Sequence, residues 1–283
     1  MNNSLTLLGT KGGPAIRPGG PNPTSMLLTL SGRRIVIDCG LGVSRGLVEA
    51  GMSLKDLDLI FITHLHSDHV LEMGPLIHTA WTTGLSSRVT VYGPTGIKRL
   101  WDGFLASLSY DIDIRIADEG RPDLKTMVDV IEYGPGRVFE LDGLTVDALR
   151  VDHPPVIDCF ALRVQADGRC VVFSSDTAYF PSLADFAAKA DILVHEAMLP
   201  DGVESILRRT GNGARLREHL LASHTLAADA GRIATQAGVG RLVLNHLIPA
   251  DDPDFTESHW RKALAPTWSG ELIVGKDGLS IAF

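Results

Sequence analysis

An apolar run, Leu57-Asp58-Leu59-Ile60-Phe61-Ile62, leads directly into His64-Leu65-His66-Ser67-Asp68-His69. The run has the length and near-unbroken apolar character of a buried strand. Its end therefore carries three imidazoles and one carboxylate to the mouth of that strand. Residues two apart in an extended segment face the same way, so His64 and His66 can reach one ion. Asp68 and His69 fall where the chain turns into a helix at Val70 and can point to a neighbouring position. Imidazole and carboxylate suit zinc, and also manganese or iron. A lone histidine would imply packing or surface, but this spacing supplies half-sets for two adjacent metals.

The flanking sequence shows strands leading and helices following, twice over. In the first half, strands are expected at residues 5–8, 26–30, 34–37, 57–62 and 89–92, and helices at 42–51, 70–82 and 96–108. A Gly/Pro-rich loop over 9–23 is long enough to lie over something functional. Residues 110–133 are charged and irregular, and the alternation Asp111-Ile112-Asp113-Ile114-Arg115-Ile116 predicts an exposed strand. In the second half, strands are expected at 137–141, 144–151, 159–165, 170–174, 192–194, 241–244, 271–274 and 279–281. Helices are expected at 183–189, 202–221 (interrupted near 211–213), 225–237 and 255–264. Ser31-Gly32, Asp142-Gly143 and Asp167-Gly168 read as two-residue hairpin turns. The pattern predicts an α+β fold, two sheets face to face with helices outside, in one domain over residues 1–283.

Lys and Arg total 26 against 34 Asp and Glu, a net charge of −8. That balance argues against a long polyanionic partner. Arg208, Arg209, Arg215 and Arg217 form the notable basic cluster and read as a solvated helix face. No apolar run reaches the roughly 18–20 residues of a membrane span, and Met1-Asn2-Asn3-Ser4 carries no basic leader. Cys39, Cys159 and Cys170 sit at unrelated spacings, none in a CxxC. They point to a reduced, cytoplasmic protein without a membrane partner.

Three later segments change the weight of the histidine stretch. His153 in Val151-Asp152-His153-Pro154-Pro155, Asp176 in Phe173-Ser174-Ser175-Asp176-Thr177 and His246 in Leu242-Val243-Leu244-Asn245-His246-Leu247 each follow a predicted strand. Together with His64 to His69 they resemble, in order and across essentially the whole chain, the signature of the metallo-β-lactamase-fold hydrolases. The resemblance implies a four-layer αββα sandwich of two mixed β-sheets with helices on both outer faces. It also implies two divalent metal ions, zinc foremost. His64, His66 and His153 would bind one ion, Asp68, His69 and His246 the other, and Asp176 would bridge them. Leu193-Val194-His195-Glu196-Ala197 and Ser223-His224-Thr225-Leu226 resemble elements of the ribonuclease Z and arylsulfatase-like branch. In that branch the glutamate and second histidine pair, and the histidine donates a proton to the leaving group. Glu196 and His224 are carried over as that acid pair, with Asp68 as the third catalytic residue. A carboxylate beside an imidazole fixes its tautomer and favours the protonated ring that an acid needs. Asp38 is expected to brace the histidine loop by hydrogen bonds. His195 reads as structural, His78, His219 and His259 as packing or surface, and Trp81 and Trp101 as core.

Two metals about 3.5–4 Å apart can share a water and lower its pKa towards neutrality. The expected reaction is hydrolysis of an ester-type bond (phosphodiester, sulfate ester, lactone or amide) by a metal-bridging hydroxide. Ribonuclease Z carries a basic, Gly/Pro-rich arm for tRNA, and no comparable arm is legible here. A small-molecule substrate is therefore expected in place of nucleic acid. The alternatives are tRNA 3′-end processing and a non-hydrolytic metal-binding or oxygen-handling role. Residues 200–221, between Glu196 and His224, are a candidate lid. A homodimer follows from the resemblance alone.

Overall fold

The computed structural model describes residues 2–210 and 213–283. Strands β1 (Ser4–Gly9), β2 (Ser25–Leu30), β3 (Arg33–Ile37), β4 (Leu59–Phe61), β5 (Val89–Gly93) and β6 (Val128–Glu132) form the first sheet. Strands β7 (Gly136–Leu141), β8 (Leu144–Arg150), β9 (Phe160–Ala166), β10 (Arg169–Phe173), β11 (Ile192–Met198), β12 (Arg241–Ile248) and β13 (Glu271–Val274) form the second. The last strand, β14 (Ser280–Ala282), returns to the first sheet beside β1, giving the order β14-β1-β2-β3-β4-β5-β6. The second sheet runs β13-β12-β11-β10-β9-β8-β7. Both sheets are mixed. Pairings are antiparallel from β14 to β3 and from β7 to β10, and parallel from β3 to β6 and from β10 to β13.

Helices α1 (Val43–Glu49), α2 (Ser67–Val70), α3 (Met73–Thr82), α4 (Ile97–Ser107) and α5 (Ser109–Glu119) belong to the first half. Helices α6 (Leu183–Phe186), α7 (Pro200–Thr210), α8 (Gly213–Ser223), α9 (Ala227–Ala237) and α10 (Glu257–Leu264) belong to the second. Among the described residues no helix is long and apolar enough to cross a membrane.

The apolar strands alternate between two different seams, which explains runs with no polar face. Ile35, Ile37, Leu59 and Phe61 point between the sheets and meet Val146, Phe160 and Leu162 of the second sheet. Val36 and Ile60 point the other way, onto Leu47, Met73, Ile77 and Trp81. Val172, Leu193 and Leu242 pack outward against Leu183, Ile233 and Leu264. These three seams make the four-layer αββα sandwich. The hairpin turns bear out their sequence: Ser31-Gly32, Asp142-Gly143 and Asp167-Gly168 each place two consecutive residues at positive φ, as a type I′ turn requires.

One stretch departs from expectation. Residues 109–119 are helix α5, not an exposed strand. Ile112 and Ile116 are four apart and both pack on the core, while Ile114 is exposed. Asp111, Arg115 and Glu119 pair along the helix at i,i+4 spacing, with contacts of 3.0 and 2.9 Å. Period-two isoleucines thus satisfied a helix because only two of the three needed burial. Strand β6 also lies within 110–133, which composition alone had left irregular.

Candidate active site

The site lies beyond the carboxyl ends of the parallel strands of both sheets. β4 ends at Phe61, and the next residues bring His64 and His66 to one point. Helix α2 then supplies Asp68 and His69. From the second sheet come His153 after β8, Asp176 after β10, Glu196 on β11 and His246 on β12. His246 is reached by a bulge: Glu196 pairs with Asn245 and Ala197 with Leu247, so His246 is the extra residue. It holds φ 45°, a left-handed conformation uncommon outside glycine, though histidine adopts it more readily than most residues. The bulge turns the imidazole out of the ladder and into the site.

Donor atoms of His64, His66, His153 and Asp176 lie within 4.8 Å of one another, as do those of Asp68, His69, Asp176 and His246. Asp176 is common to both groups. Its Oδ2 is 3.7 Å from His64 Nε2, 3.8 Å from His153 Nε2 and 3.1 Å from His246 Nε2. Its Oδ1 is 3.3 Å from His69 Nε2. Asp68 Oδ2 is 3.3 Å from His246 Nε2 and 3.6 Å from His69 Nε2.

Partners behind the rings set which nitrogen faces inward. His69 Nδ1 donates to Asp38 Oδ2 at 2.8 Å, and His153 Nδ1 donates to the Ser223 carbonyl at 2.9 Å. Both rings therefore turn Nε2 to the centre. Asp38, at φ 60°, also accepts from the Thr63 amide at 2.8 Å and from its hydroxyl, and so braces the histidine loop. Gly13 N donates to Asp68 Oδ2 at 2.8 Å, which ties the 9–23 loop to the site.

The electrostatics favour added positive charge. Burial holds His64 well below the ordinary histidine pKa, reinforced by repulsion from His69. Burial would lower His69 as well, yet Asp176, Asp38 and Asp68 outweigh it and hold it well above. His246 is likewise pushed up, against its burial, to about 10 by Asp176 and Asp68. Burial would raise Asp68 and Asp176, but the neighbouring histidines keep both carboxyls below their usual range. In the bare protein, ring protons thus offset buried carboxylates. His64 Nε2, His69 Nε2 and Asp176 Oδ1 are buried without a hydrogen-bond partner. Converging unpartnered donors in a negative field fit divalent cations of the zinc, manganese or iron class.

Beside these groups, His224 Nδ1 donates to Glu196 at 3.0 and 3.1 Å, and the two rings His224 and His246 stack at 5.4 Å. Glu196 also accepts from the Thr177 amide at 2.6 Å. The cleft over the site has a volume of about 450 Å³. Its walls come from the 9–23 loop (Lys11, Arg17), from α7 and α8 (Ile206, Arg209, Leu216, His219) and from Ile248 and Pro249. The two helices flank the opening, where a lid was expected; residues 211–212 of that segment lie outside the described residues.

Other expectations resolve by packing. His195 is buried, with Nδ1 on the Glu196 carbonyl at 2.7 Å and its pKa lowered to about 4 by burial. His78 bonds Asp111 at 2.8 Å, His259 closes the capping box of α10, and Trp81 and Trp101 are core. His219, expected at the surface or in packing, instead borders the cleft. It sits four residues before Ser223, on the same helix face as the residue that holds His153, a relation that only the fold reveals.

Residues 4–211 match the family model described as Anti-Pycsar protein Apyc1. Ribonuclease Z of Mycobacterium bovis (strain BCG / Pasteur 1173P2) is 33% identical over 276 residues, covering 96% of this chain and 95% of its own. The chain belongs to both the Apyc1 and the ribonuclease Z family. It is a metallo-β-lactamase-fold, metal-dependent hydrolase. The metallo-β-lactamase fold protein YhfI from Bacillus subtilis shares the fold with a TM-score of 0.74 at 24% identity, over 99% of this chain and 100% of that one. Human tRNase Z, short form, does so with a TM-score of 0.70 at 20% identity, over 99% and 98%.

The ribonuclease Z relationship overturns the expectation of a small-molecule substrate and the argument against nucleic acid. The net charge of −8 is an average over all residues. A phosphate chain responds to charge within about a Debye length of where it lies, roughly 8–10 Å. There the cleft is lined by Lys11, Arg17 and Arg209, with Asp251 between the two arginines at 3.1 and 2.9 Å, a more basic wall than the chain average. Arg209 is therefore part of the cleft wall and not only of a solvated helix face.

Proposed function

We propose that this chain is a binuclear metal-dependent endoribonuclease that hydrolyses a phosphodiester bond in a tRNA precursor. The observation that carries the reading is one cleft that joins two donor groups sharing Asp176, the Glu196–His224 pair, and the guanidiniums of Arg17 and Arg209. The identity to ribonuclease Z over nearly the whole of both chains supplies the substrate class.

Under this reading His64, His66 and His153 would hold one divalent ion, foremost zinc. Asp68, His69 and His246 would hold the other, with Asp176 between them. Bound ions would supply positive charge that lowers the pKa of water and offsets charge developing at phosphorus. Asp68, fixed by Gly13 N and His246, would orient the attacking water. His224, with Nδ1–H held by Glu196, would present Nε2 to the oxygen that leaves phosphorus and give it a proton. Lys11 is buried, bonded to the carbonyls of Gly12 and Gly13, and would brace the loop instead of meeting substrate. Because ligands come from both sheets, residues 1–283 would work as one domain.

The test is cleavage of a 3′-extended tRNA precursor by purified, zinc- or manganese-loaded protein. Endonucleolytic cutting is expected, lost on chelation, restored by metal, and reduced by orders of magnitude in Asp176→Asn. A precursor that stays intact with every metal tried would overturn the reading.

A further inference from the structure

Five residues before His224, helix α8 carries another histidine to the same cleft. The His219 ring lies 6.0 Å from that of His224, 6.3 Å from His153 and 6.4 Å from His66. It is half-buried and belongs to neither of the two donor groups that share Asp176. Its Nδ1 meets the Ser223 hydroxyl at 3.2 Å. That hydroxyl donates its single proton to the Pro154 carbonyl. The proton in the His219–Ser223 bond is therefore the ring's own, on Nδ1, and Nε2 is left as an acceptor. Among the described residues nothing bonds Nε2. Phosphate oxygens are acceptors too and do not match it. The hydroxyl donor of an RNA backbone is the ribose 2′-OH, the group by which a protein tells RNA from DNA.

We propose that His219 Nε2 accepts a hydrogen bond from the 2′-hydroxyl of the ribose whose 3′-oxygen His224 protonates as the phosphodiester breaks. The inference rests on the ribonuclease reading and names what would make that site selective for ribose. Water adds to phosphorus and releases one proton to solvent, the P–O3′ bond breaks, its electron pair goes to O3′, which takes its proton from His224, and solvent reprotonates His224. His219 neither gains nor loses a proton. The 2′ and 3′ oxygens sit on adjacent ribose carbons, so the groups that touch them must be neighbours. Two imidazoles with ring centres 6.0 Å apart can span that pair at hydrogen-bond lengths of about 2.7–3.2 Å. Both are set by the last turn of α8, whose Ser223 carbonyl also receives the His153 ring proton.

The experiment is single-turnover cleavage, by metal-loaded protein, of two RNA precursors that differ only at the scissile nucleotide: ribose in one, 2′-deoxyribose in the other. Wild type is expected to cut the ribose substrate roughly tenfold faster, the range of one hydrogen bond. His219→Phe keeps the ring and removes the acceptor, so the ratio should fall to near one. His219→Gln, whose carbonyl can accept, should restore part of it. A His219→Phe enzyme that slows both substrates equally would show a structural role and overturn the proposal, as would a wild type indifferent to the 2′ group. If wild type cuts neither RNA while hydrolysing bis(4-nitrophenyl) phosphate with metal, the ribonuclease reading fails and takes this inference with it.

Discussion

At the scale of single residues, the atoms behind each imidazole decide what the imidazole can do. His69 and His153 each spend Nδ1–H on an oxygen, Asp38 in one case and the Ser223 carbonyl in the other, and so aim Nε2 at the centre, where a bound cation would take its lone pair. His224 spends Nδ1–H on Glu196, but faces the cleft beside the donor groups and is suited to move a proton. The difference can be measured through the leaving group. General acid catalysis is worth roughly 10²–10⁴ in rate, and that gain applies only when the departing oxygen needs a proton. His224→Ala should therefore lose roughly that factor on an alkyl or ribose phosphodiester and much less on a 4-nitrophenyl ester. Equal losses on both, in a comparison of kcat/KM, would remove His224 from the acid role.

At the scale of elements, the site is a junction of a bulge, a loop and a helix end. The β12 bulge aims His246, and the 9–23 loop closes over it. A Cβ at Gly12 would stand 2.6 Å from Ile248 Cγ1 and 2.9 Å from His246 Cε1. The His246 ring is held between Asp68 and Asp176 and has little room to yield, so the loop must move. That motion draws Gly13 N away from Asp68. Gly12→Ala should cost activity tenfold or more while destabilising the fold by only about 1–3 kcal/mol, the ordinary cost of overpacking. Circular dichroism and turnover measured together would check it; wild-type turnover would show that the loop does not position Asp68. Strand ends of this kind were legible in sequence. His64, His66, His153 and Asp176 stand just past runs apolar enough to be strands, and the hairpins announce themselves by Gly after Ser or Asp. What was not legible depends on neighbours distant in sequence. Ile112-x-Ile114-x-Ile116 fits a strand or a helix until α3 and α4 are in place to bury two of the three. Arg209 and Lys11 become cleft residues only once α7 and the 9–23 loop meet across His246. His219 needed the register of α8 against His153.

At the scale of the whole molecule, the centre is the seam between two similar halves. Each half has a mixed sheet whose parallel strands point their carboxyl ends at the same place. His64, His66, Asp68 and His69 come from one half; His153, Asp176 and His246 come from the other. Ions bound there would link the sheets directly and relieve repulsion among Asp38, Asp68 and Asp176, all buried. Metal binding should then appear as stability of the entire fold. At a free metal concentration 100-fold above the dissociation constant the gain is about 2.7 kcal/mol, and at 1,000-fold about 4.1 kcal/mol. A domain of this size shifts its Tm by roughly 2–4 °C per kcal/mol, so chelated and zinc-loaded protein should melt about 5–15 °C apart in a single transition. Asp176→Asn removes the carboxylate common to both donor groups and should shrink that gap more than loss of any one histidine. Identical melting with and without metal, or a gap that Asp176→Asn leaves intact, would place bound metal somewhere other than between the sheets.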